Sequence, residues 1–233
     1  MITPAAGAFA AILAAMLVFI AASTVQSGLI LRRWLPPGNL LLSWPDNLLR
    51  LVVVIVCLAL GLTVGPGPAA LAWRPAATPG ILITGLVGGA LLTVSLTLAG
   101  IWAVGHWGEA VYSNRMVQCI LPANRAEWAG VVPALFLAAA LEELLFRWLP
   151  LAGLAGLISP WWLLWPLSLF FGLLHFPQGW WGVAGTLLAG IFLSLLFLAT
   201  GSIWPPLIAH YLMNVAQLVI AVATGVKPLR GRA

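Results

Sequence analysis

Charge is what this sequence has least of. Only 6% of its 233 residues are Asp, Glu, Lys or Arg, where a soluble domain carries about 25%. Acidic residues number five and histidines three. A soluble domain with its own polar surface is therefore excluded. Cysteine is nearly absent as well. Cys57 and Cys119 stand far apart, which excludes a disulfide scaffold and a thiolate metal cluster and reads as two buried, small apolar side chains. There is no Lys/Arg run and no low-complexity tract. The ten basic residues are scattered through the connections, a distribution that marks membrane topology and not a nucleic-acid partner. The N-terminal stretch lacks a charged n-region, and its apolar run is too long for a signal h-region. It is expected to be a retained span and not a cleaved signal.

What is present is hydrocarbon. The chain is 63% hydrophobic with a mean hydropathy of +1.10, the composition of an integral membrane protein. The expected fold class is all-α, a polytopic transmembrane helical bundle of about seven spans. Their approximate limits are Ala5–Leu31, Leu48–Gly65, Gly80–Gly105, a fourth from Ala129 onward, Trp161–Phe176, Trp181–Thr200 and Ile203–Ala223. Trp34, Trp44, Trp73, Trp107, Trp128, Trp161, Trp180, Trp181 and Trp204 fall near proposed ends, at the headgroup level indoles prefer. Gly61/Gly65 and Gly85/Gly89 have the spacing that lets membrane helices approach closely.

Seven spans with the N-terminus outside give the inner face Arg32, Arg33, Arg50, Arg115, Arg125, Lys227, Arg230 and Arg232. The outer face receives Arg74. The asymmetry predicts a multi-pass protein of the plasma membrane, N-terminus out and C-terminus cytoplasmic. The organisation follows as N-terminal spans and a connecting loop over 1–128, a core over 129–223, and a basic tail over 224–233.

Against that background two adjacent glutamates, Glu142 and Glu143, stand inside the fourth apolar run. Each carboxylate placed in hydrocarbon costs about 2.5–3.5 kcal/mol or more, so two in succession indicate chemistry. Glu143 and Arg147 are at i and i+4, acid first, the favourable order for an ion pair. Glu142 points about 100° away around the helix and has Phe146 at i+4. The simplest division makes Glu143–Arg147 structural and Glu142 the carboxylate free to act as a base. Two further groups join them: His175, closing Phe171-Gly-Leu-Leu-His175, and His210 with Asn214 at i and i+4. A lone buried histidine is usually a satisfied core residue. Two of them beside a glutamate pair are more than that. His106, near Glu109, reads as surface.

Counting from a turn at Ser159-Pro160 puts Glu143 and His175 at one depth, about 24 Å from it, if the fourth span continues past Pro150 with a kink. The rival ends that span at Trp148 and makes 149–158 a short re-entrant piece. His210 comes out about 10 Å shallower unless its helix tilts or starts at Pro205-Pro206 below the surface.

Glu142-Glu143-Leu-Leu-Phe-Arg147, Phe171-x-x-x-His175 and His210-x-x-x-Asn214, in this order, resemble the three signature motifs of the CPBP family. That family comprises the type II CAAX prenyl proteases and the bacteriocin-processing or self-immunity (ABI) proteins. The resemblance covers roughly residues 129–220. It implies an all-helical intramembrane endopeptidase that hydrolyses peptide bonds of membrane-associated or lipidated proteins with activated water. Carried over by position, Glu142 is the general base, His175 holds or helps activate the water, and His210 and Asn214 steady the oxyanion. Glu143 and Arg147 support Glu142. The family is often classed as metalloproteases, and Glu142, His175 and His210 resemble a set for Zn2+ or another divalent metal. The helix-borne His-Glu-x-x-His pattern is absent, and a metal-free mechanism is equally compatible. Two other classes remain: a non-catalytic membrane scaffold or immunity factor, and a transporter or proton relay, which an absence of internal repeats disfavours.

Overall fold

Proline and small polar residues at the starts of the apolar runs decide where helices begin. Thr3 accepts from the Ala6 amide ahead of α1 (Pro4–Arg33), and Thr78 accepts from the Ile81 amide ahead of α3 (Pro79–Trp107). Both have proline in the first turn, where its missing N–H costs nothing. Between them lies α2 (Trp44–Ala59), extended by a π-helical segment, Leu60–Val64. A short α4 (Asn114–Ile120) precedes α5 (Arg125–Glu143), whose cap Asn124 accepts from the Glu127 amide. Then come α6 (Pro160–Leu173), α7 (Gly179–Thr200) and α8 (Trp204–Ala223). The structure is a computed structural model describing residues 3–65 and 78–231. Among the described residues there is no strand, so the fold is an all-α bundle. Trp73, Arg74 and Arg232 lie outside the described residues.

Six of these helices are long and apolar enough to cross a membrane, counting Arg125–Ala152 and Phe176–Thr200 as continuous. The expected span Trp161–Phe176 is the exception. α6 has 14 residues, about 21 Å of helix against a hydrocarbon thickness of about 30 Å. The turn after it carries His175.

The helix that bears the glutamates does continue past Pro150, as a π-helical segment over Leu144–Ala152 with all nine residues buried. Proline removes an amide donor and crowds the carbonyl four residues back, here Phe146, and a widened turn absorbs both. Trp148 is fully buried, so it marks no membrane surface, and the expectation it supported, a span ending there, is replaced. α8 also differs from a helix that starts at the surface. Ser202, Ile203, Pro205 and Pro206 are all buried, so its first turn is sunk in protein.

The glycine pair Gly85/Gly89 brings α3 against α8. A Cβ at Gly89 would sit 2.9 Å from the Ala209 carbonyl oxygen, and one at Gly85 would sit 2.7 Å from Ile208 Cβ. α1 and α2 pack over the π-helical segment, where Phe9, Val53 and Cys57 join Leu145, Phe146 and Trp148 in one core. Both cysteines are buried and free. The basic residues gather at one end. Arg230 donates to the carbonyls of Gln118, Cys119 and Leu121 and pairs with Glu127 at 3.2 Å.

Because α8 carries His210 on the turn next to Ala209, the α3 contact positions the site. Gly89→Leu is expected to cost about 1–3 kcal/mol by overpacking. It would lower the unfolding midpoint in detergent, while Gly105→Ala, with open space around it, leaves that midpoint in place.

Candidate active site

The site is built on one buried carboxylate oxygen. Glu143, with no exposed surface, accepts through Oε1 from Arg147 Nη1 at 2.8 Å and from His210 Nδ1 at 2.7 Å. The i,i+4 pair is therefore real, and it has a third member from α8. Arg147, 1% exposed, is held from the far side by α7, donating to Ser194 Oγ and the Gly190 carbonyl, each at 3.4 Å. Its guanidinium lies over the Phe171 ring at 4.6 Å, a placement that suits a planar, weakly hydrated cation.

Glu142 faces the other way. Its side chain keeps 31% of its surface open, and Oε2 lies 3.5 Å from His210 Nε2. The sealed carboxylate is Glu143, and Glu142 is the accessible one. His210 spans the two, one ring nitrogen toward each.

His175 follows α6, and its Nδ1 donates to the Phe171 carbonyl at 2.8 Å. That bond fixes the tautomer and leaves Nε2 as an acceptor. The Phe171 ring meets His175 edge-on at 4.9 Å and His210 at 6.0 Å, so one aromatic sets the attitude of both imidazoles and of Arg147. Glu142, His210 and Arg147 all act electrostatically on the His175 ring. The sunken start of α8 removes the 10 Å depth mismatch counted from its turn. Asn214 is half-buried one turn beyond His210 on the same helix, and no hydrogen bond fixes it to a described residue.

Residues 124–216 match the family described as type II CAAX prenyl endopeptidase Rce1-like. The match lies on the helical core of this chain. No curated protein and no solved structure matches the chain. The matched segment is less than half of the sequence and takes in α5, α6, α7 and most of α8.

Within the matched segment the motif residues Glu142, Glu143, Arg147, His175 and His210 converge, while Asn214 stands at the margin. Among the described residues no three His, Cys, Asp or Glu side chains are grouped to hold a metal ion. The set of Glu142, His175 and His210 does not fit one as arranged, since His210 directs both nitrogens at carboxylates. No step below is routed through a metal.

Sequence reasoning missed three contributors. Ser194 and Gly190 sit in an apolar run with no partner spacing to flag them. A lone serine between leucines was the available clue. Arg50, from α2 outside the matched segment, interacts electrostatically with Glu142. It had been assigned only a topological role.

Removing one member of a buried ion pair typically costs about 3–5 kcal/mol. Arg147→Met is expected to lose stability of that order, measured as denaturant unfolding in micelles. Glu143→Gln/Arg147→Met would recover part of it, because no charge is then stranded.

Proposed function

We propose that this chain is an intramembrane endopeptidase that hydrolyses peptide bonds in membrane-associated or lipidated proteins, using water activated by Glu142. The observation that carries the reading is the contrast between two adjacent glutamates. Glu143 is sealed and doubly paired, and Glu142 opens beside two imidazoles. A carboxylate held at the edge of a water-poor cluster, with its neighbour fixing the surroundings, is a base positioned for use.

In the proposed reaction Glu142 takes a proton from water while the oxygen attacks the peptide carbonyl. His175 Nε2 accepts the second water hydrogen and sets the angle of attack. The tetrahedral oxyanion needs donors aimed at it. His210, held through Nδ1 by Glu143, presents Nε2 on the Glu142 side as one candidate, and Asn214 Nδ2 is the second. Glu142 then returns its proton to the leaving amine, and the bond breaks with Glu142 restored. Arg147 touches no reacting atom. It holds Glu143, and Glu143 holds His210.

The membrane suits a substrate that presents an apolar or lipidated segment beside the bundle. The clustering of Arg32, Arg115 and Arg230 at one end supports an inward-facing C-terminus in the plasma membrane. The substrate class follows the family and the site's depth.

Glu142→Gln is expected to reduce cleavage of lipidated reporter peptides in liposomes by about 10²–10⁴-fold, with the unfolding midpoint held. His175→Ala should act likewise. Exhaustive chelation should leave turnover intact. Wild-type turnover in purified Glu142→Gln protein would overturn the proposal, and full biological activity in that variant would favour the scaffold reading.

A further inference from the structure

At the basic end of the bundle a cavity of about 260 Å³ opens beside the turn that carries His175. Its walls come from separate parts of the chain: Leu31 and Arg32 at the end of α1, Ser113, Arg115 and Met116 around the start of α4, and Phe176 in the α6–α7 turn. The walls are tied together. A Cβ at Gly28 would lie 2.9 Å from the Phe176 ring, and the Ser113 amide donates to the Gln178 carbonyl at 2.9 Å.

The charges in this cavity are unanswered. Arg115 Nε is buried with no hydrogen-bond partner among the described residues. All five acids of the chain lie in the described residues, and none pairs with Arg32 or Arg115. Glu127 is taken by Arg230, and Glu143 by Arg147 and His210. Two guanidinium groups lining one hollow with no carboxylate paired to either call for an acceptor from outside, and a planar fork of donors suits phosphate or carboxylate.

The position identifies the source. Trp34, Trp107 and Trp180, three exposed indoles, flank the segments that form the walls, so the cavity sits at the headgroup level. Its lining is mixed, with Leu31, Met116 and Phe176 beside the two arginines. An ion that must stay hydrated gains little from that mixture, and a lipid phosphate with its glycerol gains from both halves. The volume is below the range of about 300–1,000 Å³ usual for drug-sized ligands. Basic pockets between membrane helices bind anionic headgroups on this principle.

We propose that this cavity is a binding site for the phosphate headgroup of an anionic phospholipid, held by Arg32 and Arg115. The occupant braces α1 and the start of α4 against the turn next to His175. The site is independent of the proteolytic reading, since it uses none of the groups assigned to catalysis.

The test is lipid exchange on the full chain in nanodiscs mixing phosphatidylglycerol with phosphatidylcholine, with retained lipid read by native mass spectrometry. Wild-type protein is expected to retain phosphatidylglycerol selectively. Arg32→Gln/Arg115→Gln should weaken that retention by roughly tenfold or more. Arg33→Gln, at the same helix end and outside the cavity, should leave it unchanged. Inorganic phosphate at matched concentration should not displace the lipid. Equal retention in wild type and double variant would overturn the proposal, as would free phosphate binding without lipid preference. So would an unchanged lipid profile in the double variant together with a several-fold rise in peptide KM, which would make the cavity a substrate-carboxylate site. Arg115→Lys keeps charge without the fork. Partial retention there, with a wild-type unfolding midpoint, separates lost binding from lost folding.

Discussion

One carboxylate oxygen organises this protein. Glu143 Oε1 receives Arg147 from its own helix and His210 from α8, and Arg147 in turn reaches α7 through Ser194 and Gly190. Taking a carboxylate and a guanidinium out of water is expensive, and pairing offsets that cost only when geometry is good and spare donors are used. Here the guanidinium is shared among a carboxylate, a hydroxyl, a carbonyl and an aromatic face. Three helices are thereby locked at one level, and the imidazole of His210 is held with its far nitrogen toward Glu142. The accessible carboxylate owes its surroundings to the inaccessible one.

The backbone serves the same end through three irregularities. Pro150 forces the widened π-helical turn directly after the glutamates, and all of it is buried under α1 and α2. α6 stops after 14 residues, so His175 sits in a turn and not on a helix face. α8 begins among buried residues. Each would be a defect in an idealised membrane helix. Irregular backbone at membrane depth is tolerated where protein or a polar cavity surrounds it, and these three lie around the same cluster.

That is also why the sequence disclosed some features and hid others. The helices, the order of the three motifs and the Glu143–Arg147 pair were legible because they are local: apolar length, proline starts and i,i+4 spacing survive without knowledge of the partner. Depth was not legible. Counting residues from the turn before α8 left His210 about 10 Å too shallow unless that helix tilted or started below the surface, and only the fold shows the buried start at Pro205-Pro206. Trp148 misled for a related reason, since an indole that normally sits at the interface is here core. Ser194 and Gly190 could not be found by pattern, because in a membrane protein both lipid-facing and core-facing residues are apolar, and the face that matters leaves no periodic contrast. His210–Glu143 links residues far apart in sequence, and only the fold connects them.

The segment that matches the CAAX-protease family supplies the ion-paired cluster, yet it does not enclose it. Phe9 of α1 packs against Gly153, Gly28 abuts the turn after His175, and Arg50 of α2 adds its charge near Glu142. None of these is in the matched residues. A carboxylate at the edge of a low-dielectric cluster is sensitive to the charges within reach, so a cation on α2 belongs to the electrostatics of Glu142 as much as a neighbour on α5 does. The cluster constrains the matched helices tightly, because carboxylate, imidazole and guanidinium meet at fixed distances. The surrounding helices are held only to shape and field, which many sequences satisfy. The division between a recognisable core and unrecognisable flanks is therefore what the physics of one ion-paired cluster inside a replaceable wall produces.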